Sequence, residues 1–473
     1  MLVTRLELAL RRYPAVGTGA LAHEAAYARQ HLLRLRTGEA EPSRRAVVAI
    51  TDAFARLSGQ AIAAEQLFES ADELLRSSRH RLSDVHAADL RTISNMLKER
   101  LSHDWTGRVL ETGVASETVV RLLLTTARQR LDSEPSESAL IYATAAEMTR
   151  ALPSTPPELR AALKAHAASG QANARRLLGK LDEALSLLAT AGSLFGSTRY
   201  CDREAGDVEI GRASVLFKME RWNEAIDAAR AGHRRFRAVR NSRRMAHCRL
   251  IEAAAMFEQG NDDGAREMWT DVLETLTALR DHEGVGRVCL NLGACETRRG
   301  RPHLARYWLN RASAIFRKTG NAAELARTRW NMATYFSRFR TSQVGLRALE
   351  RARRAFVALQ MWVDAACVGL EMTELMLSAG VDDDVLTQHA QEVASVLVAA
   401  GLDSSAAESL DQLRRIGAVA EKHAVLRDVR EALRHIGPDC DAVRRQVQEA
   451  GSDDRPPETI LSREERKDGW RAE

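Results

Sequence analysis

Residues 290–316 read LNLGACETRRGRPHLARYWLNRASAIF, and the way this stretch breaks decides the fold. A helical pattern stops at Gly300, a small residue, Ala305, follows five positions later, and a large apolar one, Phe316, stands eleven beyond that. The same break recurs along the chain at Gly179, Glu220, Gly260, Gly300, Arg340 and Gly380, at intervals of 41, 40, 40, 40 and 40 residues. Five positions after these breaks come Ala184, Ala225, Ala265, Ala305, Gly345 and Val385, and eleven further on Phe195, Phe236, Leu276, Phe316, Phe356 and Val396. Another small column, Ala191, Gly232, Val272, Ala312 and Ala352, lies between them. Small residues at fixed helical offsets let a neighbouring helix approach closely, and a large apolar side chain plugs the gap to the next pair. Each unit is then a helical hairpin that cannot bury its face alone, and stacking the units buries it.

Strand signals are nearly absent, aromatic content is only 5%, and period-two alternation is hard to find, so the chain is expected to be all-α. The turns GKLDEA, GNDDGA and GRPHLA, with Leu292-Gly293 and Ala312 at matching offsets, resemble the tetratricopeptide repeat family. The period of about 40 exceeds that family's usual 34 and is similar to the longer-helix variety of bacterial regulators and kinesin light chains. The resemblance is clearest over residues 160–400, with weaker hairpins at 115–152 and after Gly401, so an α-solenoid is expected over 115–450. Residues 451–473, polar and with a double proline, read as a disordered tail, and 76–114 as a helical connector.

Composition narrows the class. Lys and Arg total 69 against 64 Asp and Glu, a formal charge of +5 that does not by itself argue for nucleic acid. Its distribution says more, because residues 1–60 hold nine Arg and no Lys against five acids, 9 − 5 = +4. The six cysteines (201, 248, 289, 295, 367, 440) are scattered, which argues against a disulfide framework or a metal site and fits a reducing cytoplasm. No apolar run approaches the roughly 18 residues a membrane span needs.

The basic segment contains LAHEAAYARQHLLRLRTGEAEPS at 21–43, two short helical patterns separated at Ala26-Tyr27-Ala28 and closed by Gly38. With a helix over 2–12 before it, another over 43–57 built on Val47, Ile50 and Phe54, and AAEQLF at 63–68 after it, residues 1–75 read as a five-helix domain with a helix-turn-helix at its centre. This stretch resembles, without a gap, the phage-repressor (Cro-type, XRE) DNA-binding domain. Ala26 stands where the turn glycine is usual, and Ala28 where a serine would cap the next helix. The second helix of such a pair enters the major groove of double-stranded DNA. The resemblance therefore puts Arg29, Gln30 and His31, with Arg34 one turn on, against base edges, and Thr18, Arg36, Ser43 and Arg44 against phosphates.

In the array, the first helix of each hairpin is expected to line a concave face. There Arg287, Asn291 and Arg298 recur 40 residues later as Arg327, Asn331 and Arg338, a ladder able to hold a peptide backbone and its carboxylate. His247 and the basic run at 230–244 extend it. A phosphate loop, HExxH and GxSxG are all missing from the sequence, so no enzyme and no cofactor are expected. The expected function is a transcriptional regulator, able to act as a homodimer with two heads on DNA, whose array senses a peptide or protein partner. The alternative is an interaction scaffold with a head that does not bind DNA.

Overall fold

A computed structural model describes residues 3–69, 71, 75, 87–99, 101–102, 104–131, 134–152, 155–178, 180–196, 201–359, 361–399 and 419–435. The tail at 451–473, residues 400–418 after the last clear repeat, the break at Gly179, Cys440 and the side chain of Val396 lie outside the described residues. Those described form an all-helical chain.

The head contains α1 (Arg5–Arg12), α2 (Thr18–Glu24), α3 (Arg29–Thr37), α4 (Arg44–Ser58) and the single turn α5 (Ala64–Leu67). Thr4 caps α1 by accepting from the Glu7 amide, and Ser43 caps α4 by accepting from Ala46 at 3.2 Å. Leu6, Leu21, Leu32, Leu35, Val47, Ile50 and Phe54 meet in one buried core. The α2–α3 turn closes with the Tyr27 amide bonded to the Ala22 carbonyl at 2.9 Å and Ala26 to His23 at 3.1 Å. This double bond is a Schellman closure, and it forces Ala26 to φ +56°, a left-handed conformation that glycine adopts without strain.

Two helices, α6 (Ala87–Met96) and α7 (Trp105–Glu111), follow within the connector. The hairpin α8 (Glu117–Arg130) and α9 (Pro135–Met148) leads into the long α10 (Pro157–Leu177) and α11 (Leu181–Gly196). Thereafter the array keeps a strict step, with α12 (Asp202–Lys218), α13 (Trp222–Ala238), α14 (Ser242–Glu258), α15 (Asp262–Ala278) and α16 (His282–Arg298) each 17 residues long. It continues through α17 (Pro302–Thr319), α18 (Ala322–Phe339), α19 (Ser342–Ala358) and α20 (Trp362–Ser378) to α21 (Asp383–Ala399) and α22 (Val419–His435). The repeat columns sit where close packing requires. Ala184, Ala225, Ala265 and Ala305 are fully buried, as are Ala191, Ala312 and Ala352. Phe236, Leu276, Phe316 and Phe356 are fully buried plugs. Gly286 shows why the contact is tight, since a Cβ there would lie 2.7 Å from the Phe316 ring.

The sequence period of 40 is two steps of 20. Left-handed residues occur at Glu220, Arg240, Gly260, Arg280, Gly300 and Gly320, every twentieth position. After each, the next amide bonds to the carbonyl five residues back: Arg221 to Leu216, Asn241 to Phe236, Asn261 to Met256, Asp281 to Leu276, Arg301 to Glu296 and Asn321 to Phe316, at 2.9 to 3.1 Å. The side chains of Asn241, Asn261, Asp281 and Asn321 then cap the following helix. Position 340 differs, because Arg340 is extended (φ −129°, ψ −165°) and Thr341 caps α19 instead.

The head is joined to the array by more than the connector. Val3 and Leu8 belong to the same buried cluster as Ile93, Trp105, Val119 and Leu163. Arg5 of α1 donates to Glu117 (2.7 Å), which is 2% exposed, and Thr155 donates to the same carboxylate oxygen at 3.1 Å. The Glu69 carboxylate accepts from the Thr118 amide and hydroxyl at 2.8 and 2.6 Å, closing the N-terminus of α8. Among the described residues no helix is long and apolar enough to cross a membrane.

Candidate functional sites

On the head, Arg29, Gln30 and Arg34 are exposed along one side of α3. His31 is half-buried and stacks on Tyr27, ring centroids 5.5 Å apart. Ala28 supplies no side-chain cap, so the N-terminal amides of α3 have no side-chain acceptor from that position. Three of the expected phosphate contacts, Thr18, Arg36 and Ser43, are engaged inside the head. Arg36 bonds the Thr18 hydroxyl at 2.9 Å and pairs with Glu7, while its backbone carbonyl accepts from Thr4 at 2.8 Å. Ser43 spends its hydroxyl on the α4 cap, and Arg44 is exposed beside it.

Glu7 also accepts from Arg11 at 2.7 Å, and Arg11 reaches out of the head to both oxygens of Glu204 on α12, at 2.8 and 2.9 Å. An ionic chain therefore runs from the end of α3 to the array: Arg36, Glu7, Arg11, Glu204. Burial opposes the charge on Arg11, yet its bonds and proximity to Glu204 and Glu7 raise its pKa above the ordinary value. Burial likewise favours a neutral Glu204, but Arg11 holds that carboxyl below its usual value.

The array encloses a groove of about 2780 Å³ that begins at the head, where Thr37 to Pro42 form its rim, and runs to Asp364 and Cys367 on α20. Its walls come chiefly from the first helix of each hairpin, α10, α12, α14, α16, α18 and α20. The expected ladder is divided by this geometry. Arg287, Asn291 and Arg327 line the groove. Arg287 and Arg327 both pair with the buried Glu324, at 3.2 and 3.3 Å, and Arg327 lies 3.8 Å from Asp364. Asn331, Arg298, Arg338 and His247 are not among the lining residues. Asn331 turns its amide onto the Arg327 carbonyl of its own helix at 3.1 Å. Arg298 lies 3.3 Å above the Phe257 ring and pairs with Asp262, tying two neighbouring hairpins. Arg338 rests against Phe339, and His247 bonds the capping Asp281 at 3.1 Å. Burial, only partly offset by Asp281, lowers the His247 pKa.

Lys218, Arg176, Trp330 and Trp362, none of them in the expected ladder, line the groove as well. Lys218 had a signal: it precedes Arg298 by two periods and occupies the same column. Burial pushes the Cys201 and Cys248 thiols up to about 12 and those of Cys289 and Cys295 to about 11, away from the thiolate form.

No protein-family model and no curated protein matches the chain significantly. Among solved structures, a Rap protein complexed with Competence and Sporulation Factor is similar with a TM-score of 0.50 at 14% identity, over 78% of this chain and 93% of that one. Aspartyl phosphate phosphatase F from Bacillus subtilis is similar with a TM-score of 0.50 at 9% identity, over 84% of this chain and 95% of that one. At such identities the likeness is one of fold. It places the array among tetratricopeptide-like helical solenoids.

Proposed function

We propose that the chain is a DNA-binding transcriptional regulator whose array senses a peptide or protein partner. One observation carries the reading: a single groove extends from the rim formed by Thr37 to Pro42, at the end of α3, to α20, so a ligand filling it touches both the array and the head. The exposed Arg29, Gln30 and Arg34 on α3 support DNA contact, and the Arg36–Glu7–Arg11–Glu204 chain supplies a link between that helix and the groove wall. That a Rap protein of similar fold holds Competence and Sporulation Factor supports a ligand in the array. Bound ligand shifts the head between docked and released positions, and a homodimer places two heads on successive major grooves.

The test is duplex binding by the full chain across a salt series, since neutralised phosphates release counterions and give a linear fall of log affinity with log salt. Arg29→Ala and Gln30→Ala are expected to relax sequence preference, each costing ~1–3 kcal/mol at its own base pair. The Arg36–Thr18 bond inside the head favours a second reading, an interaction scaffold whose head does not bind DNA. Absence of any salt-dependent duplex binding establishes that reading over the first.

A further inference from the structure

Of the basic run at 230–244, only Arg244 lines the groove. The rest lies along an edge of the array, where α13 ends and α14 begins, and residues 234–244 hold six arginines and no acid. Three of the six are paired: Arg235 with Asp202 at 3.0 Å, Arg243 with Asp281 at 3.4 Å and Arg244 with Asp207 at 3.0 Å. Arg234, Arg237 and Arg240 are exposed and make no hydrogen bond or ion pair with a described residue. Arg240 occupies the left-handed turn, and with Arg203, Arg243 and Leu279 it lines one open depression on this edge.

The edge adjoins the seat of the head. Arg203 precedes Glu204, whose carboxylate holds Arg11 of α1 at 2.8 and 2.9 Å, and Asp202 on the same turn of α12 holds Arg235. Exposed Arg12 follows Arg11 at the end of α1. Packing does not account for the arginines. The positions of Arg234, Arg237 and Arg240 are filled one repeat later by Glu274, Thr277 and Arg280, and two repeats later by Ala314, Arg317 and Gly320. Nor do the helix dipoles account for them. Arg235 and Arg237 suit the C-terminal turn of α13, but Arg243 and Arg244 stand in the first turn of α14, where a cation is disfavoured. The excess is thus confined to the hairpin that seats the head and to the turn leaving it.

The edge also lacks what a protein partner uses. Phe236 is fully buried, and Val239 is the one large apolar side chain exposed between 230 and 244. Protein interfaces centre on aromatic and aliphatic anchors, whereas a phosphate backbone is held by cations alone. We infer that this edge is a second phosphate-binding surface for duplex DNA, continuing the contact of the head along the hairpin that seats it. Arg234, Arg237 and Arg240 each take a backbone phosphate. This assignment rests on the DNA-binding reading and extends it, because the array then holds the duplex together with the head.

The experiment measures binding of the full chain to a random-sequence DNA duplex of about 30 bp by fluorescence anisotropy across a salt series. Each neutralised phosphate contributes about 0.9 to the slope of log affinity against log salt, so the triple variant Arg234→Gln, Arg237→Gln, Arg240→Gln is expected to lower the slope by about 2–3. The corresponding triple Lys variant keeps the wild-type slope, since the surface reads charge. A control that removes the same charge from exposed arginines elsewhere on the array, Arg306→Gln, Arg329→Gln, Arg351→Gln, changes the slope by less than about 1. An unchanged slope in the edge variant, or an equal loss in the control, overturns the second surface while leaving DNA contact by the head intact. Absence of salt-dependent binding by the wild type overturns the DNA-binding reading and this inference with it.

Discussion

In the array, Phe316 packs on Gly286 only 30 positions earlier, and each helix from α12 to α17 is closed by a bond to a carbonyl five residues back. In the head, Arg11 reaches a partner 193 residues away, and Val3 packs with side chains of the connector and the first hairpins. Array order is thus written locally, hairpin by hairpin, and damage to one hairpin should stay near it. The head has a core of its own, but its seat on the array is held by residues distant in sequence, so that seat can change without any hairpin changing its internal packing. The molecule thus combines a frame held by local contacts with an element seated on that frame by long-range ones.

The strongest way to break this contrast is Phe316→Ala. Removal of a fully buried plug is expected to cost ~3–5 kcal/mol in urea unfolding. Hydrogen exchange should quicken over α16 to α18 and leave α1 to α4 protected; an equal rise in the head would show that the array does not fail locally.

Arg11→Ala probes the opposite region with a smaller effect. It leaves Glu204, a buried carboxylate, without its bidentate partner, an expected loss of ~1–3 kcal/mol. Exchange should rise in α1 and α12 while α16 to α18 stay as in the wild type. A pH series sharpens the point. With the Glu204 pKa depressed below its ordinary 4.5, the contact contributes fully above that value and is lost as the pH falls through the depressed one. Protection of α1 in the wild type should therefore decline on acidification below 4.5, and Arg11→Ala should flatten that dependence.

The smallest effect, opposite in sign, belongs to Ala26→Gly. Relief of the left-handed strain at φ +56° is expected to stabilise the head by about 1 kcal/mol. A thermal melt that leaves the head no more stable would show that the α2–α3 turn carries no strain.

The array was legible in the sequence because its packing columns are spelled in residue size, and size survives any solvent-facing substitution. The 20-residue step was hidden, since Arg240 and Arg280 occupy left-handed positions where a search for glycine finds nothing. The Asn and Asp at 241, 261, 281 and 321 were the available signal. The ladder shows where face arithmetic stops. Arg298 lies on the same helical face as Arg287, but at the last residue of α16, where it pairs with Asp262 of the preceding hairpin. His247 meets an N-cap for a related reason, because Asp281 is contributed by a loop whose path no single-helix pattern encodes. In the head the apolar core of Leu21, Leu32, Leu35, Val47, Ile50 and Phe54 was readable, whereas the pairing of Arg36 with Glu7 needs the crossing of α1 over α3.

The left-handed closures give the gene a grammar of its own. A duplication of residues 242–281 would begin after one Schellman closure and end after the next but one, with Asn241 before it and Asp281 at its end both able to cap a following helix. The inserted hairpin would meet Ala- and Phe-type columns in phase on either side. Unequal recombination at these points would therefore lengthen or shorten the groove by a whole rung while leaving every junction chemically familiar, so that groove length can evolve separately from the head.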